Sequence, residues 1–524
     1  MTLTDRTPAD QTPADQTPAD RPPGVPPRPP AARPPAARRA VPGRARATAR
    51  PVRPVRRFAR SLARRLAAAA PGAGRGVRRL VVLLCLMPLM VLLARQALRL
   101  PRLTTVPVYG LVVLAGTITV LYLAYSRYED PSTTSGPREP DPGFPPLPDR
   151  PRVDFLLAVK DEAGAIEACV RSMAASDCPR VRIIVVDDFS TDGTRDILVR
   201  LRDELGVTVL LLDENVGKKH ALVAAAERAD AEIIAFTDSD CVLAPDALRR
   251  CVDALARHPD LGAVSGHCRA LNADVSLLTR VQDVWYEGQF RIAKAAESSF
   301  GSVSCVSGPL AVFRREAIVN YLPAWAGDRF LGAPFRFATD RQLTGYVLGQ
   351  AWIGRSLKDR YRDSPFVSAE DHPERRWRVG YVRSAHVRTN VPVRLAPLMR
   401  QQVRWKKSFI RNLFFTGSFM WRRGPGPAVL FYGHVLWVLA APLMALLHLL
   451  RAPLQGAYVL TLLYVCGVLL KGCVWGLAYR VDHPGDTRWR YRPLMSLFSS
   501  VVLAWLLPYS LLTVRRGIWS RSAT

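Results

Sequence analysis

Three apolar runs, Leu103–Tyr125, Ala428–Leu450 and Gly456–Ala478, are each long enough to cross a bilayer as a helix, and a long stretch of globular composition separates the first from the second. This requires an ordinary folded domain carried between membrane helices. A shorter run, Leu80–Ala94, pairs with Leu103–Tyr125 as a hairpin, so the residues before and after it lie on one side. The positive-inside bias puts that side in the cytoplasm, although Arg95, Arg99 and Arg102 in the turn oppose it. Arg480, Arg488, Arg490 and Arg492 place the loop after the third run in the cytoplasm as well. A last stretch, Leu494–Val514, is interrupted by Pro508. If it spans, Arg515, Arg516 and Arg521 fall outside; a broken or re-entrant segment, the arrangement expected here, keeps them inside. Leu395–Phe415 carries apolar residues at Leu398, Val403, Phe409, Ile410, Leu413 and Phe414 with basic ones between, the pattern of an interfacial helix.

The net charge of +29 over 524 residues suggests a nucleic-acid binder until its distribution is considered. From Arg21 to Arg79 there are many arginines and no acid, so much of the excess lies in a tail whose composition cannot bury a core. The tail begins with the repeat Thr-Pro-Ala-Asp, starting at Thr7, Thr12 and Thr17. Val52–Ala70 fits both a basic amphipathic helix on an anionic membrane and a solvated arm. The tail lacks the aromatic or motif support that nucleic-acid binding needs, and no nucleic-acid partner is expected. Nine cysteines without Cys-x-x-Cys pairing indicate neither a zinc site nor a disulfide framework. No secretory signal is evident.

Between residues 152 and 392 strand and helix signals alternate: strands at Val153–Val159, Val181–Asp187 and Val207–Leu212, helices at Glu162–Ala175, Thr191–Glu204 and His220–Ala229. Alternation of this kind implies an α/β fold with a mostly parallel sheet covered on both faces, its ligands beyond the carboxyl ends of the strands. The run Ala231–Thr237 ends in Asp238-Ser239-Asp240. On a strand tip, carboxylates at i and i+2 share a face and can hold Mg²⁺ or Mn²⁺ against a diphosphate leaving group. The plain alternative is two acids capping a turn before a helix near Pro245. Val185–Thr194 is a strand running into an acidic turn, one carboxylate of which can accept from a nucleobase or ribose. Asn215–His220 opens a helix with Gly217, Lys218 and Lys219, suited to phosphate.

Taken in order, Val186-Asp187-Asp188-Phe189-Ser190, Gly217-Lys218, Asp238-Ser239-Asp240, Ser304-Cys305-Val306-Ser307-Gly308-Pro309-Leu310, Thr339-Asp340-Arg341-Gln342-Leu343-Thr344 and Gln401-Gln402-Val403-Arg404-Trp405 resemble the processive, membrane-embedded glycosyltransferases of family 2. The resemblance covers roughly residues 80–521. Within the family the runs Ala295–Cys305 and Ser307–Arg314, with Leu497 through Pro508 to Trp519, look closest to hyaluronan synthases. Cellulose synthases usually have a basic residue at the position of Gln402, whereas chitin-oligosaccharide synthases share the Gln-Gln-x-Arg-Trp pattern and are the rival.

The resemblance implies a GT-A-type cytosolic domain held between transmembrane helices. It also implies an enzyme using UDP-sugar donors and Mg²⁺ or Mn²⁺ to extend a β-linked polysaccharide acceptor, with hyaluronan as the expected product. It places Asp188 at the uridine and Lys218 at the diphosphate. Asp238 and Asp240 take the cation and nucleotide, with Asp240 the more direct ligand. Asp340 is the general base that deprotonates the acceptor hydroxyl, Arg404 steadies the diphosphate, and Trp405 offers a surface to the acceptor sugar. Gln401 and Gln402 complete the substrate-binding set. The chemistry agrees: a neutral hydroxyl needs a base, and a departing diphosphate needs positive charge. Two positions depart from the family. Thr339 stands where an acidic residue is common, and Thr339-x-x-Gln342 is also a capping-box pattern. Trp519-Ser520-Arg521 only loosely resembles the family's C-terminal signature. Cys305 fits both a place near the substrate and a space-filling thiol.

The expected organisation is a disordered basic tail (1–79), a transmembrane hairpin (80–127), a Pro-rich linker (128–151), the GT-A domain (152–393), an amphipathic interfacial helix with the Gln-Gln-x-Arg-Trp motif (394–421) and a C-terminal membrane region (422–524). The protein is expected in the plasma membrane with its catalytic domain cytoplasmic. A one-donor homopolymer synthase and an inactive membrane scaffold are the alternatives.

Overall fold

The computed structural model describes residues 105–136 and 141–515. The expectations placed on residues 1–79, on Leu80–Ala94 and on Trp519 to Arg521 lie outside the described residues.

The first helix, α1 (Thr105–Tyr122), runs on as a π-helical turn to Arg127. The segment expected as a linker is partly docked. Tyr128 Oη donates to the Tyr381 carbonyl at 2.9 Å, Asp130 Oδ2 accepts from the Ser384 backbone N–H at 2.8 Å, and the Phe144 ring meets the edge of Trp377 at 5.0 Å.

The sheet begins with β1 (Val153–Val159), buried along its whole length as its unbroken apolar run requires of a strand covered on both faces. Asp154 is tolerated inside it because it is fully satisfied. Arg182 grips both its oxygens at 2.7 and 2.9 Å, and the backbone N–H groups of Asp230 and Ala231 donate at 2.8 and 2.9 Å. Then follow α2 (Ile166–Ala174), β2 (Val181–Asp187), α3 (Thr194–Leu205), β3 (Thr208–Leu211), α4 (Lys218–Ala226), β4 (Ile233–Phe236), β5 (Cys241–Leu243), α5 (Ala247–Arg257), β6 (Leu261–Ala270), α6 (Leu277–Glu287) and β7 (Ala311–Arg314). A two-residue ribbon, β8 (Arg329–Phe330) with β9 (Ala333–Pro334), precedes α7 (Thr339–Arg360) and the long β10 (Arg378–Thr389).

The strand order is β3-β2-β1-β4-β7-β6-β10-β5. The first four strands are parallel, as expected. Beyond them the sheet is mixed, which corrects the mostly parallel reading: β7 is antiparallel to β4 and β6, β10 is parallel to β6, and β5 is antiparallel to β10. Up to β4 each strand is followed by a helix that returns the chain to the next parallel strand. After β4 the chain returns through short turns and long excursions that permit either direction. The carboxyl ends of β2 and β4 lie on one rim, as the strand-order rule requires.

Beyond the domain come α8 (Leu395–Phe415), α9 (Pro425–Ala445), α10 (Tyr458–Asp482), α11 (Tyr491–Phe498) and α12 (Leu506–Leu512). Among the described residues four helical stretches are long and apolar enough to cross a membrane: Tyr109–Arg127, Pro425–Leu454, Tyr458–Asp482 and Arg488–Leu512. The last, expected as a broken or re-entrant segment, is divided into α11, a π-helical turn at Ser499–Leu503, a turn at 504–505 and α12, and Pro508 lies in the first turn of α12, where its missing N–H costs little.

Asp482, at the end of α10, ties these helices to the sheet. It accepts from Tyr125 Oη at 2.7 Å and pairs with Arg291 at 2.9 Å and with Arg383 of β10 at 3.1 Å. Arg291 also lies over the Tyr125 ring at 4.3 Å.

Candidate active site

The turn between β4 and β5 carries Asp238 and Asp240. They are not on a strand tip, as the alternation rule supposed, nor do they cap α5, since β5 intervenes. Two independent contacts shape this turn. Thr237 Oγ1 donates to the Pro309 carbonyl at 2.8 Å, and Gly308 lies so close that a Cβ there would sit 2.5 Å from Asp238 Oδ2. Glycine is therefore required at 308 by close approach rather than by backbone angle. On the other side, pairing of Cys241 with Thr389 in the β5–β10 register brings Thr389 Oγ1 to Asp240 Oδ1 at 3.3 Å.

Asp238, Asp240 and Cys241 offer ligand atoms within 4.8 Å of one another. The two carboxylates fit a hard dication. Cys241 does not: burial pushes its thiol well above the ordinary range, so it stays protonated, and sulfur suits softer metals. Burial, with the neighbouring Asp238 charge, raises Asp240 to about 6. A bound cation would reverse that cost by neutralising both charges.

Gly217, at φ +86°, turns the chain into α4, and Lys218 at its start forms an ion pair with Asp238. Burial works against the Lys218 ammonium, but the Asp238 carboxylate outweighs it and raises its pKa, with Asp240 and Asp340 adding to the effect. The charges of three carboxylates, two from this turn and one from α7, thus act on one cation. Asp188, just past β2, accepts from the backbone N–H groups of Val216 and Gly217 at 2.7 and 2.9 Å. It fastens the phosphate-type loop to the sheet, and burial raises it against those two hydrogen bonds.

Asp340 lies in the first turn of α7. Its Oδ1 accepts from the Arg341 backbone N–H at 2.8 Å and its Oδ2 from the Cys305 thiol at 3.3 Å. Burial, with the Asp340 charge, pushes Cys305 up to about 12, so the thiol remains a donor. Cys305 therefore touches Asp340 rather than only filling space. The capping box suggested by Thr339 and Gln342 is not formed. The N-cap is Ala338 at φ +61°, and the Gln342 side chain instead accepts from Lys219 Nζ at 2.6 Å.

Helix α8 brings in the remaining expected residues. Burial lowers Arg404, while Asp238 and Asp240 pull it the other way. Trp405 stacks on Trp285 of α6 at 5.5 Å and 23°, with Tyr286 at 6.3 Å. Gln402 is buried, and the buried Gln401 Oε1 has no hydrogen-bond partner among the described residues. Asp188, Lys218, Asp238 and Asp240 lie at the carboxyl ends of β2 and β4 or on the loops beyond them, Asp340 opens α7, and Gln401, Gln402, Arg404 and Trp405 lie on α8. Thr389 and the Trp285–Tyr286 platform were missed. Thr389 carries no local signal, since only sheet pairing brings it near Asp240, and a Trp-Tyr pair inside a helix reads as core.

The family description "Glycosyl transferase family 2" matches residues 154–322. The chain is similar to an N-acetylglucosaminyltransferase of Azorhizobium caulinodans, 34% identical over 51% of this chain and 62% of that one, so the match spans less than two thirds of that relative. It is also similar to an N-acetylglucosaminyltransferase of Rhizobium meliloti, 31% identical over 62% of this chain and 69% of that one. A hyaluronan synthase of Streptococcus pyogenes is 26% identical over 79% of this chain and 90% of that one.

Proposed function

The chain belongs to the family 2 glycosyltransferases, and from that premise we propose that it is a membrane-embedded, processive, inverting synthase that joins UDP-sugars into a β-linked polysaccharide and exports it through its own spans. The observation that carries this reading is the Lys218–Asp238 ion pair at the start of α4 beside the Asp238–Asp240 carboxylate pair, with the charges of Asp340 and Arg404 also acting on this group of residues. Such a set offers groups for a cation and a diphosphate and, on α7, a further carboxylate.

We assign the roles as follows. Asp240 and Asp238 would hold Mg²⁺ or Mn²⁺, which supplies positive charge to the leaving diphosphate. Lys218 and Arg404 add fixed positive charge there. Lys218, now paired with Asp238, would be free to face the diphosphate if Asp238 held a dication. Asp188 faces the uridine from the loop it already holds. Asp340 takes the proton of the acceptor hydroxyl, with the Cys305 thiol holding one of its oxygens in place. Trp405, backed by Trp285, offers a flat face to the acceptor sugar, and Gln401 and Gln402 add polar contacts.

Hyaluronan, from alternating UDP-N-acetylglucosamine and UDP-glucuronate, is the product we favour. The hyaluronan synthase similarity extends over 79% of the chain and so takes in membrane helices as well as the domain. The second reading, a chitin-type synthase with one donor, is favoured by the higher identity to the N-acetylglucosaminyltransferases. We place the protein in the plasma membrane with the domain in the cytoplasm, in contact with donor, growing chain and lipid.

The test is UDP release and polymer formation by isolated membranes with Mg²⁺ or Mn²⁺, each donor alone and then both. Sustained turnover only with both donors, giving a hyaluronidase-sensitive product, is expected. Turnover on N-acetylglucosamine donor alone would move the chain to the chitin-type reading, and no UDP release with any donor would leave an inactive scaffold.

A further inference from the structure

The path of α6 does not stop at Glu287. A π-helical stretch, Gly288–Lys294, carries it on to a last α-helical turn, Ala295–Ser298. Lys294, at the junction, is buried, and a lysine taken out of water is costly unless its ammonium is satisfied. It lies over the Phe290 ring at 5.0 Å and donates to the carbonyl oxygen of Cys305. Glu297, on the next turn, spends both its oxygens on Ser304: Oε2 accepts from the backbone N–H at 3.1 Å and Oε1 from the hydroxyl at 2.7 Å. Burial lowers the pKa of the Lys294 ammonium, and the charges of Glu297 and Asp340 oppose that.

This turn therefore grips two consecutive residues of the segment that runs from Asp340 to Asp238. Cys305 gives its thiol to Asp340 Oδ2 at 3.3 Å. Val306 donates its backbone N–H to Thr344 Oγ1 at 2.8 Å, and Thr344 Oγ1 donates in turn to the Asp340 carbonyl at 2.7 Å. The Ser307 N–H donates to Ser265 Oγ of β6 at 3.3 Å, and Gly308 lies against Asp238. Each residue from 304 to 308 is thus tied or closely packed, and Lys294 is the tie that sets Cys305.

A tie needed only for folding could fall on any acceptor of the segment. This one falls on the residue whose side chain touches Asp340. We infer that Lys294, supported by Glu297, is a positioning residue for the general base: it holds Cys305 by its carbonyl, so that the thiol stays on Asp340 Oδ2. The inference rests on the base role of Asp340 proposed above. Both residues act through Cys305 rather than on the reacting atoms. An ammonium suits the task because a charge-assisted hydrogen bond is roughly twice as strong as a neutral one, so the carbonyl it holds has little freedom.

The test is a double-mutant cycle between Lys294 and Cys305 in isolated membranes supplied with Mn²⁺, UDP-N-acetylglucosamine and UDP-glucuronate, reading the rate of UDP release, the donor KM and inhibition by UDP. Lys294→Met should slow UDP release about five-fold, as much as Cys305→Ala does, with donor KM and UDP inhibition unchanged. In the Cys305→Ala background the same substitution should slow it by less than about two-fold further. Lys294→Arg, which keeps a charged donor for the carbonyl, should restore the rate. No loss from Lys294→Met, or an equal loss in both backgrounds, would overturn the positioning role. If Lys294→Met misfolds and loses UDP inhibition, Glu297→Ala is judged by the same cycle: a loss confined to the background that keeps Cys305 supports the role, and any other result overturns it. Near-normal polymer from Asp340→Asn would instead overturn the base assignment on which the inference rests.

Discussion

The Cys305 thiol lies 3.3 Å from Asp340 Oδ2 and donates to it, while the other oxygen is held by the Arg341 backbone. The two residues belong to motifs 35 positions apart, and their contact fixes the direction in which the carboxylate can accept a proton. Asp340→Asn should abolish polymer while leaving UDP affinity nearly unchanged. Cys305→Ala should only slow turnover, by about five-fold, the cost of one weak hydrogen bond. Because Cys305 is held protonated to about 12, its alkylation by iodoacetamide should stay slow from pH 7 to pH 9. UDP release, nucleotide binding and mass spectrometry of the alkylated protein check the three.

Gly308→Ala puts a methyl group 2.5 Å from Asp238 Oδ2. The carboxylate has to move, so metal-dependent UDP affinity should fall about ten-fold with little change in melting temperature, since the surrounding strands are untouched. Asp240→Asn should weaken the same affinity, and chelation by EDTA should remove it in wild type. Calorimetric titration of UDP with and without Mn²⁺ reads all three. Metal-responsive, equally tight binding by Asp240→Asn would place the cation elsewhere.

Asp482 gathers Tyr125, Arg291 and Arg383 around one buried carboxylate. Asp482→Ala leaves the buried Arg291 uncompensated and should cost about 3–5 kcal/mol, since breaking a buried pair strands its partner. Thermal unfolding in detergent should drop sharply, whereas Tyr125→Phe, which removes one hydrogen bond, should cost about 1 kcal/mol.

Lys219 is buried beside Asp328 and Arg411. Burial lowers it to about 8, the Asp328 charge resists, and Arg411 adds to the lowering. A lysine lowered on folding carries its full penalty below pH 8, where both folded and unfolded states are protonated. Between pH 8 and about 10.5 only the unfolded state keeps the proton, so the penalty is relieved as pH rises. Wild type should therefore gain stability relative to Lys219→Met over that window, and the gap between their melting temperatures, measured at pH 7, 8, 9 and 10, reports it. A gap that is constant with pH would mean that Lys219 titrates normally.

The boundaries of β1 and β2 were legible to the residue, as were those of α8, because a strand buried on both faces must be apolar throughout and a long amphipathic helix repeats its pattern over several turns. The spans were legible because a membrane-crossing helix must be long and apolar. The chemistry-bearing residues were legible as types at spacings, and their order along the chain carried the family resemblance. What local pattern could not give was set by distant partners. The Thr339–Gln342 pattern fits a capping box, yet Lys219 takes the glutamine. The acids at 238 and 240 fit a strand tip, yet they lie in a turn shaped by Gly308 and Thr389. Sheet directions beyond β4 also escaped, because strands there pair with partners far along the chain, β7 with β4 and β10 with β6. The sequence by itself determined which groups are available and which segments must be buried or lipid-facing, for these follow from composition over a few turns or residues. Only the tertiary structure decided which groups meet, because strand order, register and the close packing of one glycine or one carboxylate are settled by contacts between segments tens to hundreds of residues apart.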